Sequence, residues 1–485
     1  MKKVRFISAL LAVMLAASSC GGSAPSGDTT PADASDTTAP EEKVGYPHGA
    51  ADFGGYEFTF LNVAVCDWAN RMLVPEESTG ELLNDTMFDR NRRVEEMLNI
   101  KITEQNGADW QAVSDLIKAA VNSGDSSYDV AMTPYHFTGA LLSDGYFADL
   151  AGIDSLHLNE AWWDQMVIQS ATIKDHCYFA TSDITFFPFE ATWVIYFDKG
   201  RMADLGLEEP YGLVRDGKWT IDKLTEYALT AADLNGQPTF KYNQASGTAR
   251  YGILSHDQFM EVLAFGFGET YLDESGDMPV FNEAEERLVT AFEKIMALTT
   301  PDGAFVDRNT DNIQGGGDRM PVEYKKGRIM MMAETLGHIA NLRDASFDFG
   351  IVPIPKLDEN QEQYHSMLAS YGTLMTTIPK SCSDPERAGK VLDMLAYESN
   401  ICMIEPYYDT YLTQKGVRDE DSADMLQLIR ETRTLNIGKM FGWTTSVISS
   451  IGYALVDGRT TMVSTMASQK DSVNAAIAST YEALK

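Results

Sequence analysis

An α/β fold with mostly parallel strand pairing is what this sequence predicts, from two observations. Short segments with the two-residue period of half-buried strands alternate with segments of helical period, the signature of strand–helix–strand units. The chain beyond its polar N-terminal region is roughly 430 residues long, enough for two large lobes or a few domains.

The N-terminus comes first. Lys2, Lys3 and Arg5 precede an apolar run from Phe6 to Ala17, and Ala17-Ser18-Ser19 leads into Cys20. A positive start, a short apolar core and small residues before the cut describe a secretory signal over residues 1–19. The run is shorter than the ~20 apolar residues of a membrane span. A cysteine directly after the small residues resembles the lipobox of bacterial lipoproteins, with Ala17 where Leu is commoner. That resemblance implies that Cys20 becomes the lipid-bearing, palmitate-type first residue and that function lies outside the cytoplasm. Gly21 to Lys43 is Gly, Ser, Ala, Pro, Asp, Thr and Glu without large apolar residues, so residues 20–51 are expected to form a disordered tether.

Tyr56, Phe58 and Phe60 alternate with polar residues as a strand does. A helix is expected over Glu81–Leu98, with Leu83, Met87, Val94 and Leu98 buried and Arg90, Arg92, Glu95 and Glu96 mostly outside. Asn99–Ile102 reads as a second strand. Asp109 caps a helix carrying Val113, Ile117 and Val121 that Gly124 can stop, and Tyr128–Met132 is a buried-type strand. Thr220 is expected to cap Ile221–Leu234, and Asn282 a helix with Glu283, Glu285 and Glu286 in its first turn, where they favour the dipole. Strands are expected at Arg328–Met332, Phe347–Pro353 and Thr373–Ile378, and Ser383-Asp384-Pro385-Glu386 is a helix start with Pro at the first helical position. The tail from Ser446 is expected to be helical.

The formal charge of −33 argues against a nucleic-acid partner, which needs clustered Lys and Arg. Neutral or cationic ligands fit more easily. Cys66, Cys177, Cys382 and Cys402 show no C-x-x-C, so free thiols and two bridges both remain open. No zincin, nucleophile-elbow or phosphate-loop motif occurs. The seven histidines are scattered without metal spacing, so neither a metal nor a cofactor is expected. Asp302, Asp307, Asn309 and Asp311, near Gly315–Gly317, offer oxygen ligands for calcium without EF-hand spacing; a solvated acidic loop over 302–318 is the simpler reading. Asp183 and Glu190 form a carboxylate pair that would also suit a glycosidase.

Several segments, in order, resemble extracellular solute-binding proteins of bacterial ABC importers, the family of maltose-binding-protein-like sugar receptors. They are Tyr128–Met132 with Gly145–Leu150, Trp193–Lys199 with Leu205–Pro210, Trp219–Leu224, Tyr324–Met332, Phe349–Lys356, and Ile378–Lys380 with Pro385–Ala388. The resemblance implies a two-lobed periplasmic-binding-protein-like fold of type II, whose lobes close on a ligand about crossing hinge strands. Lobe one would hold residues 52–181 and 367–407, and lobe two 182–366 and 408–485, with crossings near Thr181 and Ser366. It implies a monomeric, non-enzymatic receptor that hands a small solute, foremost an oligosaccharide, to ABC permease subunits. Sugars present flat C–H faces and hydroxyl edges, so rings stack on them and polar side chains bind the edges. On that basis Trp68, Asp183, Phe186, Glu190, Trp193, Glu334, Tyr371 and Trp443 are the candidate ligand-binding residues. Glu334 stands in the segment Glu334–His338, where relatives often carry a stacking Trp. A surface polysaccharide-binding lipoprotein and a glycan-cleaving enzyme are the alternatives.

Overall fold

The structure, a computed structural model, describes residues 45–63, 72–243, 246–282, 285–311, 313, 319–370, 372–407, 420–456 and 462–484. The chain divides into compact units Met1–Pro47 and His48–Lys485, and all the strands and helices described lie in the second. Two open sheets organise it. The first holds β1 (Tyr56–Val63), β2 (Ile100–Gly107) and β3 (Val130–Pro134), and the second β4 (Trp193–Asp198), β5 (Tyr251–Ser255), β6 (Phe305–Asp307), β7 (Ile329–Thr335) and β8 (Phe349–Val352). Two short strands, β9 (Ser366–Met367) and β11 (Arg433–Thr434), pair in parallel, and β10 (Leu374–Thr377) returns to the first sheet. The sheet orders are β10-β3-β1-β2 and β6-β5-β7-β4-β8.

Both sheets are mixed. β1 is parallel to β2 and β3, and β5 to β6 and β7, whereas β10 runs antiparallel to β3, and β4 antiparallel to β7 and β8. The antiparallel members are strands that enter or leave a sheet along the linking segments, which sequence periodicity does not reveal. Those segments run side by side, bridged antiparallel at Ala180–Thr376 and Thr192–Leu368.

Local chemistry sets most helix ends. α1 (Leu82–Leu98) ends at Asn99, whose φ of 48° is left-handed, and α2 (Trp110–Ser123) starts where Asp109 accepts from the Ala112 amide. Gly124, at φ 71°, stops α2 as expected. α3 (Ile221–Ala231) is capped by Thr220 but ends three residues earlier than the pattern predicts, because Asp233 leaves to exchange backbone bonds with Arg250 at 3.1 and 2.7 Å. α4 (Gln258–Gly266) follows β5, and α5 (Glu286–Thr299) follows a hairpin. Asn282 does not cap α5: its amide donates to the Tyr271 carbonyl at 2.8 Å in that hairpin, and Glu285 is the cap residue. α6 (Pro385–Cys402) has the expected Asp384 cap and Pro at its first position. α7 (Glu420–Glu431), α8 (Ile437–Met440), α9 (Thr445–Val456) and α10 (Met462–Ala483) complete the chain, so the tail is helical.

Arg90 and Glu95 correct the reading of α1, because both are buried. Arg90 donates through Nη1 to the Ile184 carbonyl and Ser399 Oγ, both at 2.8 Å, so this guanidinium ties α1 to a linking segment and to α6. Burial pushes its pKa down to about 10, which leaves it charged. Glu95 accepts the Ile102 amide at 2.7 Å and pairs with Arg92 at 2.8 Å. One apolar core cluster runs from Leu83 and Met87 of α1 through Phe186 and Phe189 to Val194 of β4 and Leu336 beyond β7. Among the described residues Cys177, Cys382 and Cys402 are free thiols, and no helix is long and apolar enough to cross a membrane.

Candidate functional site

In open α/β sheets, ligands bind outside the carboxyl ends of parallel strands, where loops from successive units converge. Here those ends are Val63, Gly107 and Pro134 in the first sheet and Ser255, Asp307 and Thr335 in the second. The chain past β3 and the helix past β5 meet at the 436–440 segment. Tyr135 donates its hydroxyl to the Asn436 carbonyl, and Thr138 Oγ1 bonds the Met440 carbonyl at 2.7 Å. Asn436 Nδ2 donates to Glu261 Oε1 at 2.7 Å, while Lys439 Nζ holds Glu261 Oε2 at 3.1 Å. Both charged side chains are only 3% exposed. Gly139 is required beside them, since a Cβ there would stand 2.3 Å from the Phe441 carbonyl carbon.

A second polar cluster sits at the ends of β5, β6 and β7. Glu334 is buried, with its Oε2 4.0 Å from both His256 Nε2 and Arg308 Nη1. Its Oε1 accepts the Thr335 amide at 2.9 Å, and Thr335 Oγ1 lies 3.2 Å from His338 Nδ1. Burial alone would raise the Glu334 carboxyl, but His338, His256 and Arg308 outweigh it and hold the group below its ordinary value. Arg308 Nε is buried and has no hydrogen-bond partner among the described residues, so the cluster keeps an unspent donor. Trp193, opposite Thr335 in the β4–β7 register, sits 5.2 Å from the His256 ring and 6.2 Å from Phe259. It is buried and backs the imidazole from within the core.

A cavity of about 270 Å³ lies along the first linking segment, lined by Trp162, Trp163, Asp183, Phe186, Phe189 and Tyr407 among others. Phe186 stacks on Tyr407 at 4.7 Å, and Glu190 Oε1 accepts the Tyr407 hydroxyl at 3.4 Å. Asp183 Oδ2 is 3.3 Å from Asn400 Nδ2 and 3.7 Å from Arg430 Nη2. Burial raises the Asp183 carboxyl in spite of Arg430 and Arg433. Arg433 in the same lining is committed to Asp164 at 2.7 Å.

Phe186 and Glu190 are thus gathered round Tyr407, Asp183 lines the same cavity beside Asn400 and Arg430, and Glu334 and Trp193 stand round His256. Trp443 stands apart: it is buried, stacked on Phe441 at 4.8 Å, with Nε1 donating to Thr480 Oγ1 at 2.9 Å. Cys20, Trp68 and Tyr371 lie outside the described residues. In the acidic loop, Asp307 accepts the Asn309 and Thr310 amides at 3.2 Å and Asp311 accepts the Asp307 amide at 3.1 Å, so these carboxylates fold the turn. His256, Arg308, Tyr407 and Arg430 were not singled out in the sequence. His256 directly follows a strand, and that position was the available signal.

The family model described as bacterial extracellular solute-binding protein matches residues 95–399. The chain belongs to this family. Solved structures agree in fold. A cyclic α-maltosyl-1,6-maltose-binding protein from Arthrobacter globiformis superposes with a TM-score of 0.58 at 14% identity, covering 87% of this chain and 99% of its own. An ABC substrate-binding protein from Listeria monocytogenes, in complex with cycloalternan, gives 0.56 at 13% identity, covering 87% and 98%. A Rhizobium etli sugar transporter protein in an open conformation gives 0.57 at 15%, covering 87% and 100%. No curated protein sequence matches. The family places the chain among extracytoplasmic binding proteins that serve ABC transport, with the two-lobed α/β architecture of its structural neighbours.

Proposed function

We propose that this protein is a monomeric, lipid-anchored receptor that captures an oligosaccharide between two closing lobes and presents it to a membrane permease. Cys20 carries the anchor and residues 20–51 the tether. Residues 52–181 with 367–407 form one lobe, and residues 182–366 with 408–485 the other. The observation that carries this reading is the polar cluster of Glu334, His256 and Arg308 at the carboxyl ends of the second sheet. A depressed carboxylate accepts hydroxyl protons, and an unspent guanidinium donor binds hydroxyl oxygens. The cycloalternan and the maltotriose bound by two structural neighbours support the same solute class. Asp183, Phe186 and Glu190 on the linking segment, with Trp68 and Tyr371, are the further ligand contacts of this reading.

Binding works by shifting an open–closed equilibrium, and the permease reads the closed form. No bond in the solute is made or broken. Small-angle scattering of a soluble form begun after Lys43, titrated with an oligosaccharide library, tests this. Compaction with at least one sugar is expected; no compaction across the library overturns the sugar reading. Binding without compaction would identify an open-groove polysaccharide binder, and turnover of the glycan an enzyme.

A further inference from the structure

Two of the scattered histidines come together far from the cluster at Glu334. His48 and His157, distant in sequence, stack with ring centroids 3.4 Å apart and planes within 7°. Beneath them lies Asp393 of α6, a fully buried carboxylate. Asp393 Oδ1 accepts the His157 amide at 3.1 Å and the indole N–H groups of Trp162 and Trp163 at 3.0 and 2.9 Å. Asp393 Oδ2 takes His157 Nδ1 at 2.9 Å. Glu160 adds a second carboxylate, 3.2 Å from His48 Nε2. One ligand atom each from His48, His157 and Asp393 falls within a 4.8 Å sphere of mutual distances, the one such trio of His, Cys, Asp or Glu among the described residues.

We propose that His48, His157 and Glu160 bind a divalent transition-metal ion of the zinc type, with Asp393 holding His157 from behind. Two imidazoles and one carboxylate form a nitrogen–oxygen donor set that suits zinc and its neighbours, whereas calcium and magnesium take oxygen ligands. The carboxylate of Asp393, held by three N–H donors, fixes the ring of His157. With Nδ1 protonated toward Asp393, the basic nitrogen is Nε2, the carboxylate–histidine–metal arrangement of zinc sites. His48 and Glu160 then supply the other near donors, and water completes the shell. In the stack the two ring planes are parallel, so their lone pairs converge only if one ring tilts. His48, with its side chain 26% exposed and at the first residue of the compact unit, has room to do so. Its backbone stays in place, because its carbonyl accepts Lys390 Nζ at 2.7 Å. A bound ion would pin the start of this unit to α6. The site is independent of the solute-binding reading.

The test is calorimetric titration of the metal-stripped, solute-free protein with zinc chloride, and with cobalt chloride for its visible spectrum. One saturable equivalent is expected, with cobalt ligand-field bands of nitrogen–oxygen coordination. His48→Ala and His157→Ala should each weaken zinc binding at least tenfold and remove those bands. His48→Ala, at a partly exposed position, keeps the test decisive if His157→Ala fails to fold. Absence of a saturable equivalent in the parent protein, or zinc binding unchanged in folded His48→Ala, overturns the proposal.

Discussion

Glu261 in α4, which follows β5, and Glu334 at the end of the neighbouring β7 are buried to nearly the same degree, 3% and 5% exposed, yet their surroundings differ. Glu261 is closed in by Lys439 at 3.1 Å and Asn436 at 2.7 Å, both of its oxygens spent. Glu334 has the His256 ring and Arg308 at 4.0 Å, about one ångström beyond contact, and a neighbouring donor left over. A saturated ion pair holds segments together and has nothing further to offer. A loosely surrounded carboxylate keeps bonding capacity for a visitor. Depth of burial therefore does not distinguish the two carboxylates; the distance to their partners does.

The comparison breaks most sharply at Lys439. Removing one member of a buried pair leaves an uncompensated charge, so Lys439→Ala is expected to cost about 3–5 kcal/mol in chemical denaturation. An equal loss for Glu334→Gln would erase the distinction. His136, beside the same knot, gives the next effect. Burial pushes it down to about 4, with Lys439 adding to the depression. Below the ordinary value of 6.5 the unfolded chain takes the proton first, so stability should fall as pH drops from 6.5 toward 4, by up to about 1.4 kcal/mol per unit. His136→Gln should flatten that part of the pH–stability profile.

Glu334→Gln sharpens the contrast from the other side. Calorimetry should show solute affinity reduced about tenfold to a hundredfold, the scale of one charge-assisted hydrogen bond, with stability at neutral pH lowered by less than in Lys439→Ala. Because Glu334 is depressed in the folded state, its stabilisation is present above its ordinary 4.5 and fades as pH falls through the folded value; the glutamine variant should lack that acid-side loss. The smallest effect is expected at Asp183. Its carboxyl is raised, so ionisation at neutral pH opposes folding, and Asp183→Asn should stabilise slightly, by less than about 1 kcal/mol at pH 7 and not at pH 3. Thermal melts at the two pH values decide it.

Much of the framework was legible in the residues. Asp109, Thr220 and Asp384 cap helices because a short polar side chain before an apolar period can do little else, and Gly124 stops one because it accepts a left-handed φ. The α1 stripe was only half legible. Arg90 looks like a surface residue by type, and only the arrival of Ile184 and Ser399, from far along the chain, makes its burial tolerable. The site followed the same rule. Glu334 could be singled out because a motif pointed at its segment, but His256 and Arg308 become its neighbours through sheet order, which no local period encodes. Trp443 and Trp193 illustrate the reverse: an aromatic side chain is an equally good core filler, and here both rings are enclosed by other side chains.

The return of β10 to the first sheet has a consequence for biogenesis. Thr133 and Thr377 share a hydrogen bond at 2.8 Å across 244 positions, so β3 keeps a bare edge until the whole second sheet has been synthesised. A chain crossing a membrane from its N-terminus would expose that edge throughout, inviting mispairing. Keeping the chain unfolded until β10 arrives would spare that edge.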